Sequence, residues 1–85
     1  MTISGVNFNT MTLQPGSEFV FDNAEDIALQ IVSVARGTVR VTMCDRTFSL
    51  VMGGMWRVRG QEQCRAKSHG MEAAVLHVSS LRKDK

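Results

Sequence analysis

Few side chains in this 85-residue chain are equipped for chemistry: two histidines, His69 and His77, two cysteines, Cys44 and Cys64, and eight carboxylates. A metal centre needs several such groups converging at ligand spacing, and a nucleophilic site needs a base within reach of its Ser, Cys or Thr. Neither pattern is present. His69 precedes Gly70 and reads as a solvent-facing turn residue, while His77 reads as a half-buried strand residue. Twenty residues separate the cysteines, which suits neither a metal knuckle nor a disulfide framework, so both are expected as free thiols in a reducing, intracellular setting. Glu25 and Asp26 are adjacent, and neighbours on a strand point to opposite faces, so they do not share a proton or an ion. The expectation is a non-enzyme with no catalytic residue, no metal and no cofactor.

Charge gives a second lead. Ten bases and eight acids leave +2, but residues 1–35 hold Glu18, Asp22, Glu25 and Asp26 with no base, or −4, while residues 36–67 hold six Arg and Lys67 against Asp45 and Glu62, or +5. Arginine suits bidentate contact with carboxylate or phosphate. Arg40, Arg57, Arg59 and Arg65 are therefore the candidates for a partner or acidic-ligand contact. Aromatic residues that stack on single-stranded bases do not stand beside them, which argues against direct nucleic-acid binding.

These residues must be positioned by strands. Ten Val, six Thr, four Phe and three Ile lie between short turn signals such as Pro15-Gly16, Arg36-Gly37, Gly53-Gly54 and His69-Gly70. Period-2 alternation predicts strands over 5–13, 17–22, 26–35, 38–43, 46–51, 54–58, 61–66 and 71–79. Arg36-Gly37 is expected to close a hairpin between the third and fourth of these. The fourth is the plainest, with Val39, Val41 and Met43 on one face and Thr38, Arg40 and Thr42 on the other. On the sixth, Trp56 and Val58 oppose Met55 and Arg57. The last alternates Ala74, Leu76, Val78 with Ala73, Val75, His77, both sets apolar enough to suggest burial on both sides. A helix over 22–35 is disfavoured by the β-branched Ile31, Val32 and Val34. Residues 80–85 read as a flexible basic tail. At this size one domain, residues 1–85, is expected, all-β, with a barrel over 4–79. No apolar run is long enough to span a membrane, and no secretory signal is visible at the N-terminus.

Residues 34–58 go further. The run Val34-Ala35-Arg36-Gly37-Thr38-Val39-Arg40 is followed by Gly53-Gly54-Met55-Trp56 and then Arg59-Gly60, with Leu13-Gln14-Pro15-Gly16 upstream. This pattern resembles cupins, and within them the C-terminal cupin domain of the centromere protein C (CENP-C) family, over roughly residues 5–78. The chain departs from that family in lacking Pro-x-Gly before Gln61 and an aromatic residue in 61–64. The resemblance implies a cupin-like jelly-roll barrel of about eight short antiparallel strands. It also implies a homodimerisation domain at the end of a longer inner-kinetochore protein of the nucleus and centromere. Such a domain pairs two copies and recruits centromere factors, and the rest of the parent protein reaches centromeric nucleosomes. In enzymatic cupins, metal ligands fall where this chain has Asn23, Ala24, Glu25 or Asp26, Gln30 and Gln63, none of them His. The alternative is a small-molecule- or metal-binding small cupin.

Six Met and four Phe are more large apolar side chains than one small core hides. Met52, Met55, Trp56, Val75 and His77 are the candidates for the dimer contact, with Trp56 alternatively filling the barrel. Met11 and Met71 are expected as core or edge filler.

Overall fold

The computed structural model describes residues 3–21, 27–59 and 62–83, with side chains described over 7–21, 27–59 and 62–82. Eight strands follow one another: β1 (Ile3–Leu13), β2 (Glu18–Phe21), β3 (Ile27–Arg36), β4 (Thr38–Met43), β5 (Arg46–Val51), β6 (Met55–Arg59), β7 (Cys64–Ser68) and β8 (Ala74–Lys83). They form two four-stranded antiparallel sheets, in the orders β1-β8-β3-β6 and β2-β7-β4-β5, here sheet A and sheet B. This is the all-β fold that the turn spacing predicts and the jelly roll that the resemblance implies.

The core lies between the sheets and follows from the alternation. Val32 and Val34 of β3, Trp56 and Val58 of β6, and Leu76 and Val78 of β8 meet Val39 and Val41 of β4, Phe21 of β2, and Cys64 and Ala66 of β7. Met11, Met43, Phe48 and Leu50 pack half-buried against them. The Phe21 ring takes edge-to-face contacts with Phe19 at 4.8 Å and Trp56 at 6.1 Å between centroids, the geometry that ring quadrupoles favour.

Two features differ from the sequence expectation, the corner at Gly37 and the strand end at 80–83. Gly37 has φ +83°, as a Gly turn requires, but β3 pairs with β6 and β8 while β4 pairs with β5 and β7. The corner carries the chain from one sheet to the other and closes no hairpin. There a Cβ on Gly37 would stand 2.9 Å from the Ala73 carbonyl oxygen, so the start of β8 abuts a bare Cα. The Gly53-Gly54 turn likewise crosses between sheets and is clipped to β3: Val34 N donates to Gly54 O at 2.8 Å, and Gly53 N donates to Val34 O at 2.9 Å. Finally, residues 80–83 are not a loose tail. β8 runs on to Lys83, flanked by β1 (Gly5↔Arg82, Val6↔Leu81) and β3 (Gln30↔Ser80, Ile27↔Arg82), so ladder bonds on both sides hold a locally polar segment extended.

Among the described residues no helix is long and apolar enough to cross a membrane. Residues 27–36, where a helix was the lesser reading, are strand, and residues 22–26 lie outside the described residues.

Candidate functional site

Strand parity divides the candidate strand residues between the outer faces of the two sheets and the core. In sheet A the inward set contains Leu13, Val32, Val34, Trp56, Leu76 and Val78, all buried. Their neighbours along each strand point outward. Reading the register across β1, β8, β3 and β6, the outward rows are Thr10, His77, Ser33, Met55; then Phe8, Ser79, Ile31, Arg57; then Leu81, Leu29 and Arg59, with Thr12 beside Val75 at one end.

This outer face is apolar for a surface. Phe8 is 80% exposed and Met55 63% exposed, while Leu29, Ile31, Val75 and Leu81 are half-buried. Arg57 and Arg59 stand along its β6 margin, and it carries no carboxylate among the described residues. Three of the five predicted dimer contacts, Met55, Val75 and His77, are thereby brought onto one face. Met52 is exposed in the β5–β6 turn beside that margin. Trp56 points the other way, into the core beside Phe21, which corrects its assignment to the outer contact and bears out the barrel-filling reading.

His77 is exposed rather than half-buried, and β8 is covered on its inner face only, because one copy of the sandwich has nothing to lay over its outer face. Met71 is fully exposed between β7 and β8 and fills nothing. Phe8, Leu29, Ile31 and Leu81 complete the face and escaped the sequence reading as contact residues. Parity counted back from buried Leu13 through Met11 places Phe8 on the opposite face, which was the signal available.

The four candidate arginines divide. Arg57 and Arg59 belong to the outer face of sheet A, while Arg40 and Arg65 lie on the outer face of sheet B, across the whole thickness of the sandwich. They form two sites rather than one.

The third surface is the barrel mouth. A half-open cavity of about 380 Å³ is lined by Met43, Cys44, Asp45, Arg46, Phe48 and Glu62. The two-residue loop Cys44-Asp45 between paired Met43 and Arg46 places Cys44 at φ +52°, in the left-handed region. Glu62 is fixed by a reciprocal turn: Arg59 N donates to Glu62 Oε1 at 2.9 Å, and Glu62 N donates to Arg59 O at 3.0 Å. Deeper in, the buried indole Nε1 of Trp56 has no hydrogen-bond partner of good geometry. It lies beside the buried Cys64 thiol. Burial pushes that thiol above its ordinary value, the indole N–H opposes this, and the Glu62 carboxylate adds to it.

A cupin metal would sit in this interior. Of the positions where its ligands fall, Gln30 donates to Ser80 Oγ at 3.2 Å, Gln63 is exposed, and Asn23 to Asp26 lie outside the described residues. No group of three His, Cys, Asp or Glu converges among the described residues. An amide bonded to a hydroxyl does not fit a divalent transition metal, and no step through one is derived. Both cysteines are free thiols, Cys44 exposed and Cys64 buried.

No family model matches the sequence, and no curated protein does. Solved structures do. A Bacillus halodurans protein superposes with a TM-score of 0.83 at 11% identity, over 94% of this chain and 64% of that one. The cupin domain of an XRE-family transcriptional regulator from Enterobacter cloacae gives 0.81 at 14% identity, over 94% and 83%. The cupin domain of Cnp3 from Schizosaccharomyces pombe gives 0.75 at 16% identity, over 98% and 69%. The chain thus spans just under two thirds of the Bacillus halodurans protein. Two antiparallel sheets in jelly-roll order, superposing on cupin domains over nearly the whole chain, give this protein the cupin fold.

Proposed function

We propose that this chain is a non-enzymatic homodimerisation domain that pairs through the outer face of sheet A. The observation that carries this reading is the uncovered apolar patch of Phe8, Leu29, Ile31, Val75, Leu81 and Met55. Patches of this kind on a small soluble protein mark an interaction surface. Four strands about 4.8 Å apart, three of them about 33 Å long, give a face of roughly 600 Å². Two such faces bury about 1,200 Å², at the lower end of specific interfaces. Symmetric pairing covers the patch with its own copy, and Arg57 and Arg59 form a polar rim.

The finer reading is a cupin of the CENP-C kind, acting at the centromere and kinetochore in the nucleus. There it joins two copies of a longer protein, whose other parts contact centromeric nucleosomes, and recruits further centromere factors. Its supports are the residue pattern around Leu13–Gly16 and Gly53–Gly60 and the likeness to the Cnp3 cupin domain. Joining two arms raises their effective concentration on a shared target without new contacts. A sedimentation-equilibrium series from low to high micromolar tests the pairing. A dimer mass at the upper end is expected, and a monomer throughout overturns it.

A second reading is favoured by the cavity at the barrel mouth, whose size suits a small molecule. Native mass spectrometry of protein purified without chelator decides between the two. A stoichiometric adduct or metal on a monomer supports a ligand-binding small cupin, while a bare dimer supports the first reading.

A further inference from the structure

The opposite face of the sandwich has a different character. On sheet B the outward residues are Glu18 and Val20 of β2, Arg65 and Lys67 of β7, Thr38, Arg40 and Thr42 of β4, and Thr47, Ser49 and the exposed Val51 of β5. Arg40 stands directly across from Lys67, and Thr42 directly across from Arg65. Side chains directly opposed on an antiparallel ladder have Cβ atoms about 5 Å apart, and like charges so placed are unfavourable. The face holds three cations against one carboxylate, Glu18, which stands directly across from Lys67 on the β2 side, and none of the three cations is in an ion pair among the described residues. Thr42 and Thr47 share a hydroxyl contact of 3.4 Å beside them.

We propose that this face binds an extended acidic peptide segment of a partner protein. An extended chain repeats its side chains about every 6.7 Å on one side. Arg65 and Lys67, two apart on β7, carry that same repeat. A segment with Asp or Glu at alternate positions, lying along β7 and β4, sets successive carboxylates over Arg65 and over the Lys67–Arg40 pair. Each guanidinium then offers a bidentate fork, and the carboxylate between Arg40 and Lys67 removes their mutual repulsion.

Two other occupants fit less well. A second copy would bring like charge against like charge. A nucleic-acid duplex gains its affinity from about six to ten phosphate contacts, and single strands from stacked aromatics; three cations among hydroxyls supply neither. Sheet A lies on the other side of the sandwich, so this binding goes beyond the pairing reading and does not depend on it.

The probe is a fluorescein-labelled peptide alternating Glu and Ser, with a Gln-Ser peptide and a twelve-base-pair duplex DNA as comparators. Anisotropy is followed at low and at physiological salt. Saturable binding of the Glu-Ser peptide is expected, weakened at least ten-fold by Arg40→Gln/Arg65→Gln. The Arg57→Gln/Arg59→Gln protein, which loses the same charge from the opposite face, is expected to bind that peptide within two-fold of the unaltered chain. Amide shifts in the unaltered protein should map to β4 and β7, a readout that needs no variant. Equal weakening by both variants, duplex binding at least as tight as the peptide's, or no saturable binding up to millimolar peptide each overturns the proposal.

Discussion

Met55 and Trp56 are consecutive on β6 and face opposite ways: Met55 is 63% exposed on the outside of sheet A, and Trp56 is 7% exposed against Phe21 in the core. One peptide unit therefore joins the proposed pairing surface to the packing that holds the sandwich together. Substitutions at the two positions separate these roles. Trp56→Ala removes a large core side chain and is expected to cost about 3–5 kcal/mol in urea unfolding. Met55→Lys leaves the core untouched, so the unfolding free energy per monomer should change by less than about 0.5 kcal/mol, while the dimer dissociates at concentrations where the unaltered chain remains paired. Equal losses of stability in both variants would contradict the division.

The contact of Gly37 with the start of β8 gives a second prediction. Gly16 and Gly37 both have φ +83°, but a Cβ on Gly16 meets nothing within 4 Å, whereas one on Gly37 meets Ala73 O at 2.9 Å and Ala74 Cα at 3.0 Å. Gly16→Ala should cost about 1–2 kcal/mol, the left-handed backbone penalty alone. Gly37→Ala adds overpacking against backbone, about 1–3 kcal/mol more. Chemical denaturation of the pair measures the difference, and equal effects would show that the corner yields freely.

Cys64 predicts the pH dependence of stability. Its thiol is raised above the ordinary value, mainly by burial. The folded state thus holds this proton more tightly than the unfolded state. The sign is fixed by that: stability is full below the unfolded thiol's pKa of about 8.5 and falls as pH rises through and beyond it. Cys64→Ala should be less stable at pH 7, through its lost packing, yet show a flatter decline between pH 8 and pH 10. An identical slope in both proteins would exclude the thiol as the cause.

Cys44 is the only described residue other than Gly at positive φ, and its side chain is exposed. Cys44→Gly should raise stability by about 0.5–1 kcal/mol, by relieving the left-handed backbone at a site with no core packing to lose. A fall in thermal midpoint would show that the thiol makes a contact worth more than the strain.

The strands with strict alternation were legible from sequence. Arg46–Val51 matches residue for residue, and the in-out order of Val39, Val41, Trp56 and Val58 is as read. What local pattern could not supply was partnership. A Gly at positive φ serves a hairpin and a sheet-crossing corner equally, so Gly37 gave the turn without the pairing. The end of β8 is polar, and only the flanking β1 and β3 explain why it stays extended. The predicted strand 61–66 became Cys64–Ser68: parity was right, but Glu62 bonds back to Arg59 and β7 begins only at Cys64, while Gln61 lies outside the described residues. The candidate site was half legible for the same reason. Met55, Val75 and His77 converge as outward residues, whereas Phe8, Leu29 and Ile31 come from strands whose neighbours in sheet A the sequence does not name. The arginines were grouped by type, and the register separates them onto two faces.

Self-pairing through sheet A rests above all on Phe8, the most exposed large apolar side chain described on that face. Sedimentation velocity on the unaltered chain and on Phe8→Glu, at equal high-micromolar concentration, tests the pairing in one experiment. A dimer is expected for the first and a folded monomer for the second, with matching circular dichroism. Identical sedimentation of the two proteins, whether both monomer or both dimer, would contradict it.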